Sequence, residues 1–128
     1  MLTNSPAFSG FSVDDLAAAK QFYGETLGLR LSDVEVMGGL VRLHLAGDND
    51  VLVYEKPDHT PATFTILNFP VSDIEAAVTG LAERGVTFER YDALGADFDG
   101  LGIYRGGGPL IAWFTDPAGN TLSVLQQD

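Results

Sequence analysis

Hydrophobic and polar positions alternate in short runs along this chain, interrupted by two stretches of helical period. Over about 7–13, Phe11 and Val13 share one face of a strand. Asp14 or Asp15 then stands where a helix N-cap accepts free N–H groups, and Leu16, Ala19, Tyr23 and Leu27 are spaced to bury one helical face. Gly28 follows at the position of a helix end. Three strands are predicted next, over about 30–36, 40–46 and 50–55. In the middle one Val41, Leu43 and Leu45 take one face, and Arg42 and His44 the other. In the third, Val51 and Val53 oppose Leu52 and Tyr54.

The same order then returns. Thr65, Leu67 and Phe69 share one face of a strand over about 63–71, and Phe64, Ile66 and Asn68 the other. Asp73 caps a helix that buries Ile74, Ala77, Val78 and Leu81, and Gly85 ends it. Strands are predicted over about 86–91, 101–105, 110–115 and 121–126. Ala112 and Phe114 oppose Ile111, Trp113 and Thr115; Leu122 and Val124 oppose Thr121, Ser123 and Leu125. Asp116-Pro117-Ala118-Gly119-Asn120 reads as a hairpin turn, and so does the run Gly106 to Pro109, which lacks the Lys-[Ser/Thr] and helix of a phosphate loop. The recurrence is visible in the residues themselves. FSVDDLAAA at 11–19 lies over FPVSDIEAA at 69–77, an offset of 69 − 11 = 58, with five of nine positions identical.

The pattern predicts an α+β fold: a single domain over 1–128 of two tandem βαβββ modules, about 5–55 and 63–126, joined by a linker over 56–62. The modules would form a curved, mostly antiparallel sheet around a cavity, with the helices outside. In each strand one face is uniformly apolar and should meet the helices; the mixed face is left for something else.

Composition narrows the function. Seven Lys and Arg against eighteen Asp and Glu give 7 − 18 = −11, which repels phosphate backbones and anionic membrane surfaces, so neither nucleic acid nor membrane is expected as a partner. The chain has no cysteine, which removes disulfides, thiolate metal sites and thiol nucleophiles. MLTNSPAFSG has neither the basic nor the apolar region of a signal peptide, and no apolar run reaches the ~20 residues of a membrane span, so a cytoplasmic protein is expected.

Three segments carry a family resemblance: FSVDDLAAAKQFYGETLGL at 11–29, FPVSDIEAAVTGLAERGV at 69–86 and AWFTDPAGNTLSVLQ at 112–126. With them the chain resembles the vicinal oxygen chelate superfamily, the glyoxalase, bleomycin-resistance and extradiol-dioxygenase relatives. The resemblance implies a homodimer and four metal-ligand positions, one on each of four strands, usually His, Gln or Glu. These positions map to Phe8, Leu52, Ile66 and Ser123. Three hydrocarbons and a hydroxyl cannot hold a divalent ion, and the neighbouring positions do no better. No metal and no cofactor is therefore expected.

Phe8, Leu52, Ile66 and Trp113 could instead line an apolar pocket for a small organic ligand, or simply fill the core. Arg42 and His44 share a mixed face, and Arg42 is the repeat mate of Trp113 at 113 − 42 = 71, the offset that also pairs Leu52 with Ser123. Arg42 suits an acidic or carbonyl group and His44 can move a proton near neutral pH; the plainer reading pairs Arg42 with a carboxylate at the sheet edge. Asn68, Tyr54, Ser123 and Tyr104 offer further polar contacts, while His59 reads as surface. Asp97 and Asp99 flank Phe98 in the acidic loop over 92–102, either a lid or a solvated segment. Three functions follow: metal-free binding or sequestration of a small organic molecule; an enzyme with a displaced metal site or metal-free acid–base chemistry at His44; or a partner module with a filled cavity.

Overall fold

The computed structural model describes residues 1–34, 39–95 and 97–127. Two compact units meet in the chain at Thr60 and Pro61, inside the predicted linker. The first contains β1 (Ser9–Val13), α1 (Leu16–Gln21), β2 (Arg30–Val34), β3 (Leu40–Leu45) and β4 (Asn49–Glu55). The second contains β5 (Thr65–Pro70), α2 (Ile74–Glu83), β6 (Phe88–Glu89), β7 (Leu110–Thr115) and β8 (Thr121–Gln126). Each is a βαβββ module, and the fold is α+β. The sheets run in the order β1-β4-β3-β2 and β5-β8-β7-β6. In each, the first strand joins its module's last strand in parallel and the other pairs are antiparallel. No helix among the described residues is long and apolar enough to cross a membrane.

The two modules fold alike because their sequences place the same devices at the same points. Asp15 accepts from the Ala18 N–H at 3.2 Å and Asp73 from the Ala76 N–H at 3.1 Å, so each helix starts at an aspartate. Gly28 and Gly85 lie at φ 74° and 92°, a backbone region that glycine alone enters freely, and there each helical segment ends. The apolar faces are buried as the alternation predicts: Phe11, Val13, Val41, Leu43, Val51 and Val53 in the first unit, Ala112, Phe114, Leu122 and Val124 in the second. α1 packs on β3 and β4, and α2 on β7 and β8. Burial of each Val, Leu or Phe side chain contributes roughly 1.5–3 kcal/mol.

Several expectations need correction. The first helix is α only to Gln21; Phe22–Thr26 continues as a π-helical turn, with the Leu27 N–H donating to the Phe22 carbonyl at 2.9 Å. The predicted strand over 86–91 shortens to Phe88–Glu89, and that over 101–105 reduces to bridges from Tyr104 to Phe98 and Ile111. The cause is local. Asp99 Oδ1 accepts the N–H groups of Leu101 and Ile103, both at 2.9 Å, which gives the backbone a side-chain alternative to a ladder. The predicted extension of β2 to residue 36 lies outside the described residues, as does Ala96 of the acidic loop. His59 is not plain surface: it is half-buried, and its Nδ1 shares a 2.6 Å hydrogen bond with Ser12 Oγ on β1.

Candidate functional site

Strand register sorts the candidates by face. In the first sheet Arg42 stands beside Leu52 and beside Ser32, and His44 beside Asp50 and Arg30. Gly10 stands beside Leu52, and Ser12 beside Tyr54. One face of β1–β4 therefore carries Arg42, His44, Leu52 and Tyr54 together, opposite the buried valines. In the second sheet Trp113 stands beside Ser123 and Glu89, and Ser123 beside Asn68. The pairing of Arg42 with Leu52 matches that of Trp113 with Ser123, so the offset of 71 read in the sequence is a register equivalence.

On the second sheet the candidates converge on aromatic rings. Trp113 has Tyr91, Phe98 and Tyr104 around it, at ring-centroid separations of 5.4, 6.2 and 6.3 Å, and Phe98 and Tyr104 lie 5.3 Å apart. The tilted and edge-on geometries are those the ring quadrupoles favour. A Cβ at Gly106 would overlap the Tyr104 ring, so that glycine makes room for one member of the cluster. Burial pushes the Tyr91 phenol up, and the Glu89 charge adds to it, against a Thr121 hydrogen bond. The phenol thus stays a neutral donor near pH 7. The fully buried Ser123 hydroxyl donates to Asn68 Oδ1 at 2.7 Å.

The aromatic loop is pinned from outside. Arg105 bridges Asp99 and Glu75, with Nε to Asp99 Oδ2 and Nη2 to Glu75 Oε1 both at 2.8 Å. Arg90 donates to the carbonyls of Asp99 and Gly100 at 2.6 and 3.2 Å. Asp99 thus belongs to the hydrogen-bonding of its own loop. Phe98 turns to the tryptophan, while Asp97 is exposed.

On the first sheet the polar candidates form a chain. Ser32 Oγ and His44 Nε2 lie 2.7 Å apart, His44 Nδ1 is 3.2 Å from Asp50 Oδ1, and Arg42 Nε is 3.9 Å from Asp50 Oδ2. The edge-carboxylate reading of Arg42 therefore has its partner. A pocket of about 570 Å³ adjoins this chain, and Arg42, Asp50, Phe8, Pro6 and Leu45 are among the residues lining it. Phe8 and Arg42 are thereby brought together, with Phe8 68% exposed. Ile66 sits at a register shift between Thr65 and Leu67.

The four positions implied as metal ligands do not fit a metal. Leu52 and Ile66 offer no donor atom, Phe8 is an exposed hydrocarbon, and the hydroxyl of Ser123 is committed to Asn68. Among the described residues no group of three or more His, Cys, Asp or Glu could hold an ion. Ser32, Asp50 and Tyr91 escaped the sequence reading, although strand alternation does place Ser32 and Asp50 on the face of His44. Their proximity follows from register, which one strand alone does not encode.

Comparisons with known proteins agree with this architecture. The family model described as Glyoxalase/Bleomycin resistance protein/Dioxygenase superfamily matches residues 7–124. No curated protein sequence matches the chain. Among solved structures, an antibiotic-binding protein from Streptomyces sp. CB03234 is similar at TM-score 0.72 and 24% identity, covering 98% of this chain and 99% of its own. A glyoxalase/bleomycin resistance protein from the same organism aligns at TM-score 0.64 and 25% identity, over 94% of this chain and 100% of its own. A superfamily member from Sphaerobacter thermophilus aligns at TM-score 0.68 and 23% identity, over 94% and 97%. At such identities the likeness is one of fold.

Proposed function

The chain belongs to the glyoxalase/bleomycin resistance protein/dioxygenase superfamily, and from that premise we propose that it binds and sequesters a small, planar organic molecule without a metal. The observation that carries the reading is the group of three rings around Trp113, beside the Asn68–Ser123 pair. Aromatic faces stack on planar or cationic ligands, and a few placed polar groups fix orientation. The donor-poor set Phe8, Leu52, Ile66 and Ser123 supports a site that works without an ion. The net charge of −11 favours a cationic ligand. That one structural relative is an antibiotic-binding protein is consistent with sequestration as a use of this fold. The working unit in this reading is a cytoplasmic homodimer of single-domain chains, with Phe64, 70% exposed, as apolar surface for association.

Trp113 is the chain's one tryptophan, so its fluorescence reports on the site directly. Titration with acridine orange, a planar cation, should quench it saturably, with EDTA making no difference and Trp113→Ala abolishing retention of the dye. Unsaturable quenching, or binding that needs added metal, overturns the reading. Native mass spectrometry with elemental analysis gives subunit number and metal content together: a dimer without stoichiometric metal is expected. A stoichiometric divalent ion, or a monomer throughout, contradicts the corresponding part.

A further inference from the structure

We propose that the exposed face of β2, β3 and β4 is an acyl-transfer centre for small carboxylic esters: Ser32 is the nucleophile, His44 its general base, Asp50 orients the imidazole and Arg42 receives the developing oxyanion. The hydrogen-bond connectivity is the first ground. Ser32 Oγ meets His44 at Nε2, 2.7 Å away, and Asp50 meets it at Nδ1, 3.2 Å away. The arrangement is the one in which Nδ1–H donates to the Asp50 carboxylate and Nε2 accepts from the serine hydroxyl. That is the tautomer a general base must have to activate a hydroxyl.

The electrophile is the second ground. Ser32 and Arg42 are direct cross-strand neighbours on one face, a spacing that puts their Cβ atoms ~5 Å apart. Among the described residues Arg42 makes one ion pair, at 3.9 Å and through Nε, so its terminal N–H groups are left for an oxyanion. The third is room. A pocket of about 570 Å³ reaches this group through Arg42 and Asp50, which line it with Asp48, Asn49, Phe8 and Leu45, while Ser32 and His44 stand outside its lining; it leaves room for a small ester beside them. All four side chains stand on adjacent hydrogen-bonded strands, which hold their spacing better than loops would.

The reaction balances with water alone. Ser32 Oγ bonds to the ester carbonyl carbon as its proton passes to His44 Nε2. The tetrahedral oxyanion sits against Arg42. Its collapse breaks the bond to the leaving alcohol, which takes the proton back from His44 and leaves acyl-Ser32. Water, deprotonated by the same imidazole, then releases the carboxylic acid and restores Ser32.

The test is hydrolysis of p-nitrophenyl acetate, paired with labelling by a fluorophosphonate and peptide mass spectrometry. The intact chain should carry the label on Ser32. Ser32→Ala should lower kcat by about 10²-fold or more. His44→Gln should lose both hydrolysis and label, and Asp50→Asn should lower kcat with KM little changed. Circular dichroism on each variant checks that it is folded. If folded wild-type protein takes no label at Ser32, or if Ser32→Ala hydrolyses the ester at the wild-type rate, the assignment is wrong. Loss in His44→Gln with Ser32→Ala unaffected also overturns it, because the imidazole itself would then be the nucleophile. Dye binding at Trp113 uses none of these four side chains, so either proposal can fail alone.

Discussion

Asp116 does more than turn the chain. It is 4% exposed, and its Oδ1 accepts the N–H groups of Ala118 and Asn120 at 3.0 and 2.8 Å. The Asn120 amide donates to its other oxygen at 3.1 Å and, through Oδ1, accepts the Ala62 N–H at 2.9 Å. Removing a buried acceptor leaves its donors unpaired, at ~1–3 kcal/mol for each group. Asp116→Ala should therefore lower stability by about 2–4 kcal/mol in urea denaturation, against ~0.5 kcal/mol or less for the exposed Asp58→Ala. A loss below ~1 kcal/mol for Asp116→Ala would show that water replaces the carboxylate. The sequence announces this turn through Pro117 and Gly119, but a turn motif does not reveal that its aspartate and asparagine are buried. The same gap hides the Ser32–His44–Asp50 chain, since the two new partners come from neighbouring strands.

At the scale of the element, the segment carrying Phe98 and Tyr104 is held by the Asp99 carboxylate together with Arg90. Burial pushes the Asp99 carboxyl up, but the Arg105 hydrogen bond, the N–H groups of Ile103 and Leu101 and the Arg105 charge together hold it below its ordinary value. A lowered folded-state value means that the contribution to stability is complete above the ordinary carboxylate value, about 4, and is lost as pH falls through the folded one. The segment should then loosen in acid, with Trp113 fluorescence changing below about pH 4 before global unfolding. Asp99→Asn should show the loosened signal already at neutral pH. An acid transition unchanged by Asp99→Asn would assign it to another group. Sequence alternation fails over this stretch because Gly100, Gly102 and the Asp99 side chain remove the ladder it presumes, whereas β3, β4, β7 and β8 keep continuous ladders and follow it closely.

Across the whole chain, the tandem modules were legible because an internal repeat tests itself. The offset of 58 for the first strand and of 71 for the last together map the pairing of Gly10 with Leu52 onto that of Asn68 with Ser123, and the offset of 71 alone maps Arg42 beside Leu52 onto Trp113 beside Ser123. Repetition fixes backbone, while chemistry lies where the modules differ: Arg42 against Trp113, Gly10 against Asn68, Leu52 against Ser123. Net charge is a property of the whole molecule and acts on both proposals. A chain at −11 concentrates cations near its surface, and salt screens that field with a Debye length of ~8 Å at physiological ionic strength. Affinity for a planar cation should thus fall as sodium chloride rises from about 0.05 to 0.5 M, whereas a neutral ring system of similar size should bind equally well at both. The contrast separates the field from the rings. If both probes weaken together, electrostatics is not what favours the cation. If the cation is unaffected, stacking against Trp113 and its neighbours carries the affinity alone, and the acidic surface serves solubility rather than recognition.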